Sequence, residues 1–206
     1  MRPAEVVRKL RKFHGAGGFF NGRQDPFRVL VATILSQRTR GSNTREAEKR
    51  LFACFSTPAE VARAPRRKIE RLIRPAGFYR AKARHIQETA RAIVERFAGR
   101  VPRDLPRLMT LPGVGRKTAN CVLVYAFGKA AIPVDIHVHR VANRLGWVET
   151  KTPEQTEQEL CKLLPRRMWL QVNELLVRHG RTICLPRRPR CNRCPVERWC
   201  AKRLES

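Results

Sequence analysis

Four cysteines near the C-terminal end of the chain are close enough in sequence to share one inorganic group. They give the segment CLPRRPRCNRCPVERWC the pattern C-x6-C-x2-C-x5-C, and they are Cys184, Cys191, Cys194 and Cys200. Disulfides would suit a secreted protein, but we expect no signal peptide, because no apolar core follows the basic start of the chain. Structural zinc sites usually have two C-x2-C pairs, whereas this segment has one. Four thiolates can also enclose a [4Fe–4S] cluster, so composition alone leaves zinc and iron–sulfur open.

The loop between the first two of these cysteines is rich in arginine. Arg187, Arg188 and Arg190 lie within the six residues that separate Cys184 from Cys191. A loop fixed at both ends by a metal group could hold such guanidinium groups ready to bind phosphate. The arginines could also balance the negative charge of the group itself, and the two roles are compatible.

A second segment with chemical potential is LPGVGRKTAN, which begins at Leu111. A P-loop would need the pattern GxxxxGK followed by Ser or Thr after a strand. Here Gly113 and Gly115 are two residues apart, Arg116 precedes the lysine, and a helical pattern comes before the segment. The segment therefore predicts a helix–hairpin–helix turn, in which glycines and the free amides of a new helix bind one phosphate of DNA without reading its sequence.

Two ionisable residues follow the glycines and could carry out chemistry. Lys117 falls in the first turn of the predicted helix, where it could contact phosphate or, as a neutral amine, attack a sugar carbon or an aldehyde. Asp135, in the segment PVDIHVHRVANRLG, could cap the next helix, stabilise positive charge on a sugar, or relay protons. The residues alone leave these roles open. We expect His137 and His139 to pack or form hydrogen bonds rather than to catalyse.

The charge of the whole chain indicates a polyanionic partner. Among 206 residues, 44 are Lys or Arg and 17 are Asp or Glu, which gives a formal net charge of +27. Positive charges in such excess would repel one another in the isolated protein, so nucleic acid is the first candidate partner. An anionic membrane is second, but no apolar run is long enough to span a bilayer.

The elements that must position these residues are predicted to be helices almost throughout. The segment FRVLVATIL, from Phe27, is apolar on nearly all sides and favours a buried helix, although its β-branched residues leave a strand possible. Thr57 and Thr152 each begin a capping box with proline at the first helical position. Gly128 and Gly180 are predicted to end helices.

Taken together, these segments resemble the endonuclease III family of DNA glycosylases. The resemblance rests on LPGVGRKTAN, on VDIHVHRVANR, on the spacing of the four cysteines and on ILSQRT from Ile34, all in the order the family has them. It implies an all-α, bilobal helix-hairpin-helix glycosylase fold, with a six-helix lobe at residues 19–129 and an iron–sulfur cluster lobe at residues 1–18 and 130–206. Double-stranded DNA would lie across the groove between the lobes.

The resemblance also implies an activity and a role for each site residue. The protein would be a bifunctional DNA glycosylase and AP lyase of base excision repair, which removes damaged pyrimidines through a Schiff base on Lys117 and nicks the strand 3′ to the abasic site. Asp135 would be the catalytic aspartate, and the four C-terminal cysteines would hold a [4Fe–4S] cluster. We expect further DNA contacts from Gln37, Arg38, Leu111, Gly113, Gly115, Arg116, Arg187, Arg188 and Arg190.

The chain departs from the family at two positions. An ungapped match puts Arg38 where glutamine fills the gap left by the flipped base, with Gln37 one residue earlier, so either could be the wedge. Ile136 replaces a common threonine after the aspartate. A T/U·G mismatch glycosylase and a non-catalytic iron–sulfur DNA-binding protein are the alternative functions. We expect a monomer in the cytoplasm, associated with the nucleoid if the source is prokaryotic.

Overall fold

The computed structural model describes residues 3–15 and 24–203, and within these ranges the regular structure is entirely helical. This confirms the predicted all-α class. The α-helices are α1 (Pro3–His14), α2 (Pro26–Ser36), α3 (Gly41–Cys54), α4 (Pro58–Arg63), α5 (Arg66–Leu72), α6 (Tyr79–Phe97), α7 (Leu105–Met109), α8 (Arg116–Tyr125), α9 (Ile136–Leu145), α10 (Pro153–Leu163) and α11 (Trp169–Thr182). Three single 3₁₀ turns are also present, at Arg166–Met168, Cys191–Arg193 and Glu197–Trp199.

The chain divides into two compact units. Residues 24–129 belong to one, and residues 3–15 together with 130–203 belong to the other. The lobe boundary predicted between residues 18 and 19 lies outside the described residues, so the domain boundaries stay a prediction. No helix in the described part of the chain is long and apolar enough to cross a membrane.

The helix α2 lies at the centre of the first unit and packs against α3, α6 and α8. Its Phe27, Leu30 and Ile34 are all buried, as expected of a helix that is apolar on nearly every side. The alternative of a strand in this segment is thereby wrong. The capping box at Thr57 is present, since the Thr57 side chain accepts from the Glu60 amide and the Glu60 carboxylate accepts in return.

The second unit is built around α9 and α11, with α1 packed on α11. The capping box at Thr152 forms with Gln155 and starts α10. Gly128 has a φ of +63° just after α8, as predicted for a helix end. The prediction that Gly180 ends a helix is wrong, because Gly180 lies inside α11. A Cβ atom there would be 2.9 Å from the Cβ of His137, so glycine is required by the close approach of α9.

Candidate active site and nucleic-acid interface

The hairpin between α7 and α8 is fixed by its own apolar residues. Leu111 and Val114 are buried in the core of the first unit, and the Val114 amide donates to the Leu111 carbonyl at 3.1 Å. Gly113 has a φ of +73°, and a Cβ atom there would be 2.9 Å from His85. Only glycine suits both constraints. Because the Leu111 side chain is buried, any contact it makes with DNA must come from its backbone.

The helix α8 begins directly after this hairpin, with Gly115 as its N-cap and no side chain bonded there. The first amides of a helix have no partner within the helix, so they are suited to bind an anion. Lys117 is exposed in this first turn. Gly115 at the end of the hairpin and Lys117 are therefore exposed neighbours at one helix start.

The turn after α2 reaches the same hairpin. The Gln37 side-chain amide donates to the Gly113 carbonyl at 3.3 Å and to the Thr118 hydroxyl at 3.4 Å. Arg38 has a φ of +49° and is exposed. In the described part of the chain its guanidinium has no hydrogen-bond or ion-pair partner. The structure thus brings Gln37 to the hairpin and leaves the Arg38 side chain available for a ligand.

Phe78 is a residue of this surface that the sequence analysis missed. Its side chain is 66% exposed, its φ is +57°, and it precedes α6 directly. The neighbouring Gly77 amide donates to the Thr39 hydroxyl at 3.1 Å, which places Phe78 beside the turn after α2. An exposed ring in such a position can stack on bases or insert between them. The signal in the sequence is an aromatic residue between a glycine and the start of a helix, at a position that does not belong to the helical spacing of apolar residues.

Asp135, in the second unit, is the N-cap of α9. One carboxylate oxygen, Oδ1, accepts from the amides of His137 at 2.8 Å and Val138 at 2.9 Å. The capping role considered from sequence is therefore confirmed, and it fixes the orientation of the half-buried carboxylate. Burial lowers the pKa of His137, and the Asp135 charge opposes that shift. Ile136, which follows the aspartate, is 69% exposed.

All four C-terminal cysteines line one cavity in the second unit: Cys184, Cys191, Cys194 and Cys200. Within residues 3–15 and 24–203, no three His, Cys, Asp or Glu side chains come close enough together to hold a single metal ion. The four sulfurs thus share one enclosure without converging on one point.

Burial controls the chemistry of two of these thiols. It raises the pKa of Cys194 to about 11 and also raises the pKa of Cys200, so these two thiols would keep their protons at neutral pH. A bound cationic group would have to displace those protons. Two of the sulfurs already accept hydrogen bonds. Arg144 Nη1 donates to Cys184 Sγ at 3.6 Å, and the Lys202 amide donates to Cys200 Sγ at 3.4 Å. Hydrogen bonds to sulfur are typical of iron–sulfur ligation.

Two arginines of α9 hold the loop that contains the exposed Arg187, Arg188 and Arg190. Arg144 donates to the carbonyls of Leu185 at 2.6 Å and Pro186 at 2.8 Å. Arg140 donates to the carbonyl of Cys184 at 3.0 Å. The sequence analysis missed both arginines, although their spacing of four residues puts them on one helix face.

Comparison with known proteins identifies the family. The model of the HhH-GPD superfamily base excision DNA repair proteins matches residues 31–166. Endonuclease III of Thermotoga maritima is 52% identical over 196 residues, which cover 95% of this chain and 89% of the relative. The chain belongs to the endonuclease III family. Endonuclease III of Escherichia coli K12 is 38% identical over 196 residues, covering 95% of this chain and 93% of the relative.

Solved structures agree with this assignment. A trapped covalent intermediate of endonuclease III and DNA, in an estranged-adenine complex, matches with a TM-score of 0.88 and 36% identity, covering 97% of this chain and 94% of that one. A thermostable thymine-DNA glycosylase matches with a TM-score of 0.84 and 27% identity, covering 98% and 95%. The predicted glycosylase fold is confirmed. This endonuclease III family member is a DNA glycosylase and AP lyase of base excision repair, and the non-catalytic alternative loses its support.

Proposed function

We propose that this enzyme removes damaged pyrimidines from double-stranded DNA and cuts the strand 3′ to the resulting abasic site, with Lys117 as nucleophile. The observation that carries the proposal is the exposed amine of Lys117 in the first turn of the helix that the hairpin opens. The trapped covalent intermediate formed by a relative with DNA supports a covalent mechanism. The resemblance to the family implies another residue at this position in members that only remove bases, so the lysine also supports the lyase step.

The reaction begins when the damaged nucleotide leaves the stack. The amides at the start of α8 hold a backbone phosphate, which puts the sugar within reach of Lys117. Lys117 Nζ forms a bond to C1′ as the bond from C1′ to the base breaks. The base leaves with the electron pair and takes up a proton, and Nζ loses one.

The sugar then opens and the strand is cut. The C1′–O4′ bond breaks, O4′ takes up a proton, and a Schiff base forms between C1′ and Nζ. Loss of a proton from C2′ expels the phosphate from C3′ with its electron pair. Water hydrolyses the Schiff base, which frees Lys117 and leaves an unsaturated aldehyde on the 3′ end.

Asp135 is the group we assign to charge and proton transfer. Its Oδ1 is fixed by two amides of α9, so its Oδ2 keeps a defined direction. A carboxylate held in this way is suited to stabilise positive charge on a sugar during base loss and to relay protons.

The four cysteines of the second unit are the residues that would hold a [4Fe–4S] cluster. A single zinc would need all four sulfurs about 2.3 Å from one point. Four cysteines that line one cavity fit a group that takes four thiolate ligands, and a [4Fe–4S] cluster is such a group. The cluster would supply a structural crosslink. The arginines it steadies, Arg187, Arg188 and Arg190, would bind phosphates beside the lesion.

A second candidate function is removal of thymine or uracil opposite guanine. The likeness to a thermostable thymine-DNA glycosylase, with 27% identity, is the observation in its favour. Arg38, which with Gln37 is one of two candidates for the wedge, could alter which opposing base the enzyme accepts. The cytoplasmic location and the monomeric state stay predictions.

A panel of duplexes tests the choice between these functions. Each duplex carries one lesion, such as thymine glycol opposite adenine, or thymine or uracil opposite guanine, and single-turnover base release and strand cutting are measured. We expect fast excision of the oxidised pyrimidine, with a 3′ unsaturated aldehyde that disappears in Lys117→Gln. Faster excision from the mismatches would favour the second candidate. Base release without strand cutting would contradict the lyase.

A further inference from the structure

Lys82 of α6 is a buried lysine that the mechanism above does not use. It is only 4% exposed. Its Nζ lies 2.7 Å from the Leu35 carbonyl, 2.6 Å from the Gln37 carbonyl and 2.6 Å from the Thr39 hydroxyl. An ammonium group has three donors and no acceptor, so these three uncharged oxygens satisfy it fully. Burial lowers the pKa of Lys82 to about 8.

The three oxygens all belong to the turn that ends α2. The last carbonyls of a helix have no partner within it and carry partial negative charge, so a cation there is favourable. Arg38, between Gln37 and Thr39, has a φ of +49°, a left-handed conformation that is unfavourable for a residue with a side chain. Lys82 binds the residue before Arg38 and the residue after it, and so holds this conformation from both sides.

The Thr39 hydroxyl extends this attachment to a second segment. It donates to the Gln37 carbonyl at 3.2 Å and accepts from the Gly77 amide at 3.1 Å as well as from Lys82. A Cβ atom on Gly77 would lie 3.1 Å from the Arg38 carbonyl, so the segments are in close contact. Phe78, next along the chain, is therefore fixed relative to Arg38.

The same turn also reaches the hairpin. While the Gln37 carbonyl binds Lys82, the Gln37 side chain donates to the Gly113 carbonyl. One buried ammonium thus connects three exposed parts of the first unit: the turn with Arg38, the ring of Phe78 and the phosphate-binding hairpin.

We propose that Lys82 is a positioning residue for base excision, which holds the turn of residues 36–40 in the shape needed to fill the gap left by the flipped base. This rests on the proposed glycosylase function. Lys82 touches no substrate; it aims the side chains of Gln37 and Arg38. A damaged base in a pair must be extracted and its gap filled, whereas a preformed abasic site has no base to extract. Loss of Lys82 should therefore slow base excision more than β-elimination.

The test compares two single-turnover rates in Lys82→Met, which keeps the length of the side chain and removes the charge. One rate is base release from a duplex with thymine glycol, and the other is strand cutting at a preformed abasic site. We expect base release to fall roughly 10- to 100-fold, since a displaced positioning group can cost about that much, and strand cutting to change less than about threefold.

Lys129→Met is the matched control. It removes the same charge and another hydrogen bond from lysine to a backbone carbonyl in the same unit, but Lys129 is exposed and contacts Arg103. Both rates should match the wild type. Equal losses of both rates in Lys82→Met, or no loss of either, would overturn the proposal.

A second pair of variants covers the case in which Lys82→Met fails to fold. Thr39→Val removes one acceptor at nearly constant shape, and Thr39→Ser keeps the hydroxyl. We expect the valine variant to lose base release selectively and the serine variant to restore it. Equal base release in the two would overturn the role of this network. If the wild type releases no base from any duplex, the proposed function fails, and this inference fails with it.

Discussion

The hairpin and the cysteine loop are both irregular segments, but they are held by different means. The hairpin places Leu111 and Val114 in the apolar core of its unit and closes with a backbone hydrogen bond. Residues 183–203 contain only two single 3₁₀ turns, and the buried hydrophobic residues there are Ile183 and Val196. Two buried apolar side chains cannot offset the entropy of ordering some twenty residues.

It follows that the hairpin takes its shape from packing, whereas the loop depends on added crosslinks. Those crosslinks are the guanidinium groups of Arg140 and Arg144 and, by our proposal, the cluster on the four cysteines. The phosphate-binding surface of the hairpin should therefore survive loss of the metal group, whereas that of the cysteine loop should not.

The largest effect should come from removing one cluster ligand. Cys194→Ser should abolish the broad visible absorption of a brown protein and let trypsin cut the loop after Arg187 and Arg190, while residues 24–129 stay resistant to the protease. Absorption and limited proteolysis followed by mass spectrometry measure both. The exposed Cys54, in the other unit, gives the control Cys54→Ser, which should change neither. A colourless wild-type protein with stoichiometric zinc would contradict the cluster.

Arg144→Met should lower the stability of the second unit by a smaller amount, because it leaves the carbonyls of Leu185 and Pro186 without their donors. Each hydrogen bond to a charged group contributes about 1.5–3 kcal/mol, so we expect a loss of about 3 kcal/mol in the free energy of unfolding of the second unit. Denaturation followed by tryptophan fluorescence measures it. Arg203→Met removes only an exposed pair with Glu149 and should have little effect. Equal effects from the two variants would refute the assigned role of Arg144.

In the hairpin, Gly113→Ala tests whether packing alone sets the geometry. The positive φ and the 2.9 Å approach to His85 should together cost about 2 kcal/mol in unfolding free energy, and base release should slow. Gly115→Ala is the comparison, since Gly115 has a φ of −83° and nothing within 4 Å of an added Cβ. That variant should keep its stability. If both lose stability alike, the hairpin is not constrained as described.

The smallest effect should come from Arg188→Gln, which removes one exposed guanidinium of the loop. Losing one phosphate contact lowers the slope of log affinity against log salt by about 0.9 without changing stability. Arg50→Gln, on α3 and paired with Glu46, is the control of equal charge. Fluorescence anisotropy at several salt concentrations gives the slope for each variant. Identical slopes for Arg188→Gln and Arg50→Gln would show that Arg188 does not contact a phosphate.

The sequence predicted the locally determined features of this molecule. The capping boxes at Thr57 and Thr152, the helix start after Gly115 and the cap at Asp135 depend on residues a few positions apart, and all are present. The spacing of the cysteines likewise identified residues that line one cavity.

Features that depend on packing between distant segments were missed or predicted wrongly. Lys82 and the Gln37 carbonyl are 45 residues apart, and only the packing of α6 on α2 brings them together. Gly180 looked like a helix end, but its glycine is explained by the approach of His137 from another helix. Phe78 is visible in the sequence, but its exposure is not.

The central claim is that Lys117, in the first turn of the helix after the hairpin, forms the covalent bond to the sugar. Borohydride trapping on DNA that contains a preformed abasic site tests it. Reduction of the Schiff base should leave one protein joined to one strand, and peptide mapping should locate the adduct on Lys117. Lys117→Ala should give no adduct, while Lys129→Ala should give as much as the wild type. An equal adduct from Lys117→Ala, or one that maps to another residue, would contradict the account.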